Sequence, residues 1–522
     1  MGSLAPSPEE YFPKFLVIGA GSRGNSYARA VTLATRGSIH AVAETDDFKR
    51  EEFGRKYIWG NDKPHHLQHF PSWQAWVAAE HVRRKMKVNA GSLYAVRVTG
   101  VFICTLDETH AEIIRALAPF NLHIMCEKPL ALSLSDCLSI SKVMEPVEKV
   151  VSIGHVLRYS PHNTLLRKLL LDEQVIGEVV SIEHTEPIGW WHFSHSYVRG
   201  NWRRATAEGV GSLLTKSCHD IDFLMWLLCS PSKLTGKKPH LPSTISSTGA
   251  LTTFRKARKP TLAGNATNCL DCKAEKDCIY SAKKIYRDRW LRKEKDTGWP
   301  LKIVMPEIED IVAHQGWDKA EEGLMEKLGE DYDRKTMTEE EVSQRGWYGR
   351  CVYESDNNVA DEQTVTVAWD EDVISEDASA IGRGPKTAIF HMTYPTQAQC
   401  DRRGRIYGAA GELSYDSKQI TVHTFADNVT QTHMIPKQDP EVEKAHGGGD
   451  FGLTRAFVEA VHKADMEEMS VDEAQRTFIG ADLDEIIRSH AVVFAAEDAR
   501  MGKNVVDFQD WWKTKEKLHG VI

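Results

Sequence analysis

Lys128 sits in the triplet Glu127-Lys128-Pro129, directly after the run Leu122 to Cys126. Proline cannot donate to a sheet ladder, so strand pairing should end there. That places an ammonium at the carboxyl edge of a parallel sheet, where open α/β sheets bind their ligands. A second set of chemistry-bearing residues lies in Gly209 to Leu228. This stretch reads as a helix from about Ser212, with Leu214, Ile221, Met225 and Leu228 on a buried stripe. Lys216, His219 and Asp222 are spaced by three and share another face, joined by Thr215. A histidine between a lysine and an aspartate can be tuned as a proton carrier. The same spacing also fits a solvated polar face with an ion pair, and spacing alone favours that plainer reading.

The elements that must position these groups begin at Phe15 to Ile18, a short apolar strand that runs into Gly19-x-Gly21-x-x-Gly24. Gly19 permits the tight turn, Gly21 lets backbone approach a pyrophosphate, and Gly24 lets the next helix lie close. A helix-compatible run (Asn25 to Arg36) and a second strand (Ile39 to Ala43) follow. This context predicts a dinucleotide site, with phosphate at the helix N-terminus. Glu44 ends the second strand, where a carboxylate bonds a ribose diol and repels a 2′-phosphate, so NAD is favoured over NADP. Strands and helices then alternate through Val98 to Thr105, His110 to Leu117, Leu122 to Cys126, Ser135 to Met144 and Lys149 to Gly154. The expected architecture is α/β: a Rossmann domain over residues 1–154 after a loose lead-in, and a second domain over 155–522. A Cys-rich and charged insertion is expected over about 255–350, and within it Ser281 to Gly346, rich in Lys, Glu, Asp and Arg, reads as a helical stretch that lids the cleft or covers an interface.

The chain has 522 residues, too many for one ordinary domain. Its formal net charge of −9 argues against nucleic acid as a general partner. No apolar run approaches the roughly 18 residues that would span a bilayer, and no membrane association is expected. The N-terminus lacks the basic and apolar parts of a signal peptide, so the expected location is the cytoplasm. Of ten cysteines, Cys269, Cys272 and Cys278 cluster, and Cys351 is the candidate fourth member. Four thiolates could hold a structural zinc ion. Free or disulfide-forming thiols and an iron–sulfur cluster are the alternatives. Arg158, after the last Rossmann strand, is the best substrate contact among the aromatic- and Arg-rich segments at 155–159, 190–192 and 202–204. His446-Gly-Gly-Gly-Asp450 is a weaker candidate: its helix start could touch substrate or cofactor, or be a flexible turn with an aspartate N-cap.

The glycine loop, Cys104-Thr-Leu-Asp-Glu-Thr-His110, Glu127-Lys128-Pro129, Ile176-Gly-Glu-Val179, Gly211 through Asp222, and Arg405 through Glu412 together resemble the glucose–fructose oxidoreductase, inositol dehydrogenase and MocA family. The cysteine-rich stretch looks like that of a subgroup carrying the same insertion. The resemblance implies a second α/β domain on a large, mostly antiparallel open sheet, through which the chain would form a homo-oligomer. It implies Lys128 and His219 as catalytic residues flanking a substrate carbon beside the nicotinamide. The implied cofactor-binding set is Gly19, Gly21, Ser22, Arg23, Gly24, Glu44, Thr105, His110, Glu127 and Lys128, and Arg158, Lys216 and Asp222 are the expected substrate contacts. One departure stands out. Many family dehydrogenases carry an aspartate four residues before the histidine, and this chain has Thr215. The expected function is hydride transfer between NAD(P) and a secondary alcohol of a sugar, cyclitol or similar polyhydroxy compound. An NAD-using glycosidase with transient hydride transfer, or a non-catalytic nucleotide-binding sensor, are the alternatives.

Overall fold

The structure is a computed structural model and describes residues 12–86, 97–206, 208–229, 238–372, 383–443 and 446–518. Residues 1–11 of the lead-in lie outside that set. Six short strands make the first sheet: β1 (Lys14–Ile18), β2 (Ser38–Ala43), β3 (His69–Phe70), β4 (Gly100–Ile103), β5 (His123–Cys126) and β6 (Val151–Ile153). Their order is β3-β2-β1-β4-β5-β6 and every pairing is parallel. The order reverses beside β1, so the glycine loop opens at the switch point where ligands of such sheets bind. β4 and β5 are buried along their whole length, as expected for strands covered on both faces.

One face of this sheet is not closed by the N-terminal residues alone. Phe15, Tyr27 and Phe102 pack with Phe457, Val458 and Val461 from the helix Gly449–Asp465. Phe15 and Phe102 meet Phe457 with ring centroids 5.8 and 5.4 Å away. Each fully buried aromatic or aliphatic side chain of this kind contributes about 1.5–3 kcal/mol. A C-terminal helix thus completes the core on this face of the first sheet.

The second sheet has nine strands: β7 (Val179–Pro187), β8 (Thr244–Ala250), β9 (Glu362–Trp369), β10 (Lys386–Thr393), β11 (Arg403–Gly408), β12 (Gly411–Tyr415), β13 (Gln419–Thr424), β14 (Val429–Met434) and β15 (Val506–Asp507). The order is β14-β13-β12-β11-β7-β10-β9-β8-β15, antiparallel except for the parallel β7–β10 pair. Residues alternate across it: Ile182, His184, Val365, Val367, Phe390 and Met392 face inward. The helices Cys218–Leu228 and Leu483–Gly502 pack in the same core. The outer face keeps half-exposed polar side chains, and a shallow groove there is lined by Glu183, Thr185, Arg403, Arg405, Gln419 and Thr421.

Two helices differ from the sequence reading. The one expected over Val471 to Arg500 is interrupted at Gly480, whose φ of +72° is left-handed, and restarts with Asp482 capping Glu485 N. The one expected from Ser212 is broken into Ser212–Thr215 and Cys218–Leu228. The insertion fills the β8–β9 connection, residues 251–361, and because those strands are neighbours it leaves the sheet intact. It has its own core around Tyr286, Leu291, Leu301, Ile308 and Leu324. Lys302 of the insertion reaches Glu52 of the nucleotide layer, 3.1 Å away. Among the described residues no helix is long and apolar enough to cross a membrane.

Candidate active site

The glycine loop is shaped for a phosphate. Gly19 has φ +94°, and a Cβ there would lie 2.5 Å from the Cys104 carbonyl oxygen. A Cβ on Gly21 would meet nothing within 4 Å, so the loop backbone is open just where the helix Ser22–Ala34 begins. No described side chain caps that helix, which leaves its first N–H groups for an anion. Glu44 stands beside the loop. Its carboxylate accepts from Ala20 N at 2.8 Å and Asp46 N at 3.0 Å, which fixes it at the tip of β2. An open cradle, an uncapped helix start and an anchored carboxylate together fit a dinucleotide.

Across the sheet edge, β5 delivers Glu127-Lys128-Pro129. Lys128 Nζ donates to the Thr215 carbonyl at 2.6 Å. That carbonyl is at a helix end, where no i+4 partner is guaranteed, so the interruption before Cys218 is what makes it available. The turn that receives Lys128 leads within four residues to His219. Lys128 also lies 5.7 Å over the Trp202 ring, and Trp202 Nε1 donates to Asp107 at 2.9 Å. The His219 helix is buried on every side, so the solvated-face reading of its polar residues does not hold. Burial, then Lys128, Arg402, His155 and His446, hold the His219 imidazole well below its ordinary pKa. It is therefore neutral near pH 7 and able to accept a proton.

A nucleotide-shaped switch point, with Lys128 at the sheet edge bonded to the turn that leads into His219, narrows the comparison with known proteins. Residues 13–155 match the model of the GFO_IDH_MocA oxidoreductase family, NAD-binding Rossmann fold, and residues 168–237 match that family's C-terminal alpha/beta domain. Both matched segments are thus similar to the Gfo/Idh/MocA oxidoreductase family. A 2,7-anhydro-N-acetylneuraminate hydratase of Escherichia coli (strain K12) is 30% identical over 154 residues, 28% of this chain and 40% of that protein. An inositol 2-dehydrogenase of Rhizobium meliloti (strain 1021) is 27% identical over 176 residues, 33% of this chain and 46% of that one. The chain thus spans less than half the length of these two relatives. An oxidoreductase from Agrobacterium radiobacter, solved with NAD+, L-tartaric acid and magnesium, matches with TM-score 0.56 at 12% identity, covering 96% of this chain and 100% of that one. That likeness is one of fold.

Several residues expected at this site do other work. Arg158 and Asp222 were expected to touch substrate, but they bind each other: Arg158 Nε and Nη2 each donate to the Asp222 carboxylate at 2.7 Å. Arg158 also donates to Glu485, and both partners of the Asp222 pair are almost fully buried. Burial opposes ionisation of Asp222, yet Arg158 and His155 prevail and bring its pKa down to about 2. Arg23 was placed with the cofactor, and its guanidinium is committed to Glu127 and Asp450 at 2.7 Å each and to Tyr27. His110, fully buried, faces the Pro129 carbonyl at 2.8 Å and the Thr105 carbonyl at 3.3 Å, so it braces the Lys128 turn. Lys216 remains at the cleft, 3.2 Å from Cys400 Sγ and 3.3 Å from Glu186.

The zinc expectation is also corrected. All ten cysteines are free, and among the described residues no three His, Cys, Asp or Glu side chains gather closely enough to hold a metal ion. The backbone does bring Cys351 to Cys269, through Cys269 N to Gly349 O at 2.9 Å and Cys351 N to Thr267 O at 2.7 Å. A buried guanidinium stands beside them, however, with Arg199 Nη2 donating to Cys269 Sγ at 3.4 Å.

Other pairings at the site escaped the sequence reading. Asp450 is no N-cap. It lies buried in the first turn of Gly449–Asp465 and accepts from Arg23, from Ser26 at 2.7 Å and from His446 at 2.9 Å. Asp220 binds Arg402 at 2.6 Å and His184 at 2.8 Å, and Glu186 takes Arg402 and Ser217 at 2.8 Å each. Glu186 lies on β7 and Arg402 directly precedes β11, far apart in sequence, and the β7–β11 pairing brings them together. No local spacing signals such a pair.

Proposed function

We propose that the protein is an NAD-dependent oxidoreductase that transfers a hydride between the nicotinamide and a secondary alcohol carbon of a sugar, cyclitol or related polyhydroxy compound. The observation that carries this reading is the placement of Lys128. Its ammonium is held by the Thr215 carbonyl on the turn leading into a neutral, buried His219. The names of the inositol 2-dehydrogenase and its relatives point to the same substrate class. NAD, when bound, supplies the carbon that exchanges the hydride. Lys128 keeps two N–H bonds beyond the one given to Thr215, and with them it binds the substrate oxygen and stabilises its developing negative charge. His219 takes the hydroxyl proton, and Trp202 walls the lysine from water. Acid–base help of this kind is worth roughly 10²–10⁴-fold in rate. Glu44 makes NAD the preferred cofactor over NADP, and the outer face of the nine-stranded sheet is the surface for self-association.

The test mixes the protein with NAD and a panel of sugars and cyclitols, and follows the NADH absorbance. Turnover that produces NADH supports the dehydrogenase. A second reading is kept on two observations: Thr215 stands where the family resemblance leads one to expect an aspartate, and two relatives are named hydratases. Cleavage of an aryl glycoside with no net NADH would favour an NAD-using glycosidase. Nucleotide binding with neither activity would leave a sensor.

A further inference from the structure

His155 follows the last strand of the nucleotide sheet and is 2% exposed. Among the described residues neither of its ring nitrogens has a hydrogen-bond partner, and His219 Nδ1 is likewise buried and unpartnered. Burial first, opposed by Asp222 and joined by His490, Arg158 and Lys128, brings the His155 pKa down to about 3. It is therefore a neutral imidazole with one donor and one acceptor. Leaving a buried polar group unmet costs about 1–3 kcal/mol, and native proteins rarely do so. Three such atoms on two facing rings mark a polar site that holds something small. The ring centroids are 6.1 Å apart and nearly perpendicular, at 82°. A water molecule has the two donors and two acceptors needed to bond both rings.

The neighbours decide how such a bridge would run. His490, 5.4 Å from His155 between centroids, has both nitrogens engaged, with the Leu130 N–H and the Ile486 carbonyl. His446, 6.2 Å from His219, spends Nδ1 on Asp450. On the far side of His155, Asp222 Oδ2 lies 3.8 Å from Nδ1, too long for a hydrogen bond but close enough to favour a proton there. Nε2 of His155 is then the acceptor.

We infer that His155 is a positioning residue for His219, acting through one bound water. The chain of bonds has a fixed direction. Asp222 draws the proton of His155 to Nδ1. His155 Nε2 accepts from the water, and the water oxygen accepts from His219 Nδ1–H. His219 is left with an unprotonated Nε2 toward the cleft, the tautomer a general base requires. In this chain the pair takes over the orienting task that a carboxylate at position 215 would perform, and Asp222 receives the far end of the dipole chain when His219 gains a proton. The inference rests on the catalytic role given to His219 but is measured without turnover.

The test is the His219 tautomer, read from nitrogen–proton correlations in ¹⁵N-histidine-labelled full-length protein and assigned by His219→Asn. The wild type should show His219 protonated at Nδ1 and bare at Nε2. His155→Phe should move the Nε2 resonance toward the protonated range, and His155→Gln, which keeps a donor and an acceptor, should restore the wild-type pattern. Thermal melts identify a variant that has merely unfolded, and His155→Gln then carries the comparison. An Nε2–H tautomer in the wild type, or one unchanged in folded His155→Phe, would overturn the inference. So would a change on His446→Asn in its place. A correct tautomer with no NADH from any polyol would instead count against the dehydrogenase reading alone.

Discussion

Two sets of buried polar groups near Lys128 differ in how they are paired. On the nucleotide side Arg23 joins Glu127 to Asp450, and His110 braces the Lys128 turn. Behind it Arg158 holds Asp222 and Glu485. Each of these polar groups has its partner inside the protein. Beside them, among the described residues, His155 and His219 keep three ring nitrogens without one. Paired groups can only hold shape, because their hydrogen bonds are already made. Unpaired groups retain bonds to offer, so the chemistry should lie where the pairing stops.

That contrast breaks most visibly at His219 and Lys128. His219→Ala and Lys128→Ala should each lower turnover by roughly 10²–10⁴-fold while NAD affinity, followed by fluorescence titration, stays near that of the wild type. Loss of fold in place of turnover would put these residues with the paired set. Arg158 tests that set itself. Arg158→Met takes from Asp222 its bidentate partner in the interior, and a broken buried pair costs about 3–5 kcal/mol. Urea melts should register that loss. A neutral effect would mean that the pair contributes nothing to the scaffold.

Acid sharpens the same point. Asp222 titrates at about 2 in the folded chain, below the ordinary aspartate value near 3.9. A depressed carboxylate stabilises fully above its unfolded pKa, and the benefit fades as pH falls from about 4 toward 2. Asp222→Asn should flatten this part of the stability–pH curve, at a price in stability near pH 7. Glu44 gives the smallest effect. Glu44→Ala should reduce the preference for NAD over NADP by about tenfold, the equivalent of about 1.4 kcal/mol for one charge-assisted hydrogen bond. Competition titrations with the two nucleotides would read it.

The nucleotide half was legible in the sequence because its rules are local. Gly19, Gly21 and Gly24 work within a few residues, and Glu44 follows at the end of the next strand. The substrate side was legible in type but not in partnership. Spacing put Lys216, His219 and Asp222 on one helix face, yet the chain breaks at Ser217 and each meets different neighbours. Asp222 finds Arg158 from 64 residues away, and Arg402 finds Asp220 from 182. Contacts at such range are made by the sheet order, which no periodicity encodes. The cysteine cluster shows the same limit: its spacing suggested four thiolates around a metal, while Arg199, remote in sequence, stands beside Cys269.

The central claim is that Lys128 and His219 act on one substrate carbon at the mouth of the nucleotide site. Stopped-flow NADH absorbance on a panel of polyols, for the wild type and the two alanine variants at saturating NAD, tests it most directly. The expected result is a polyol-dependent NADH signal in the wild type that is strongly slowed in both variants with nucleotide binding retained. An NADH signal of equal rate in either variant would contradict it.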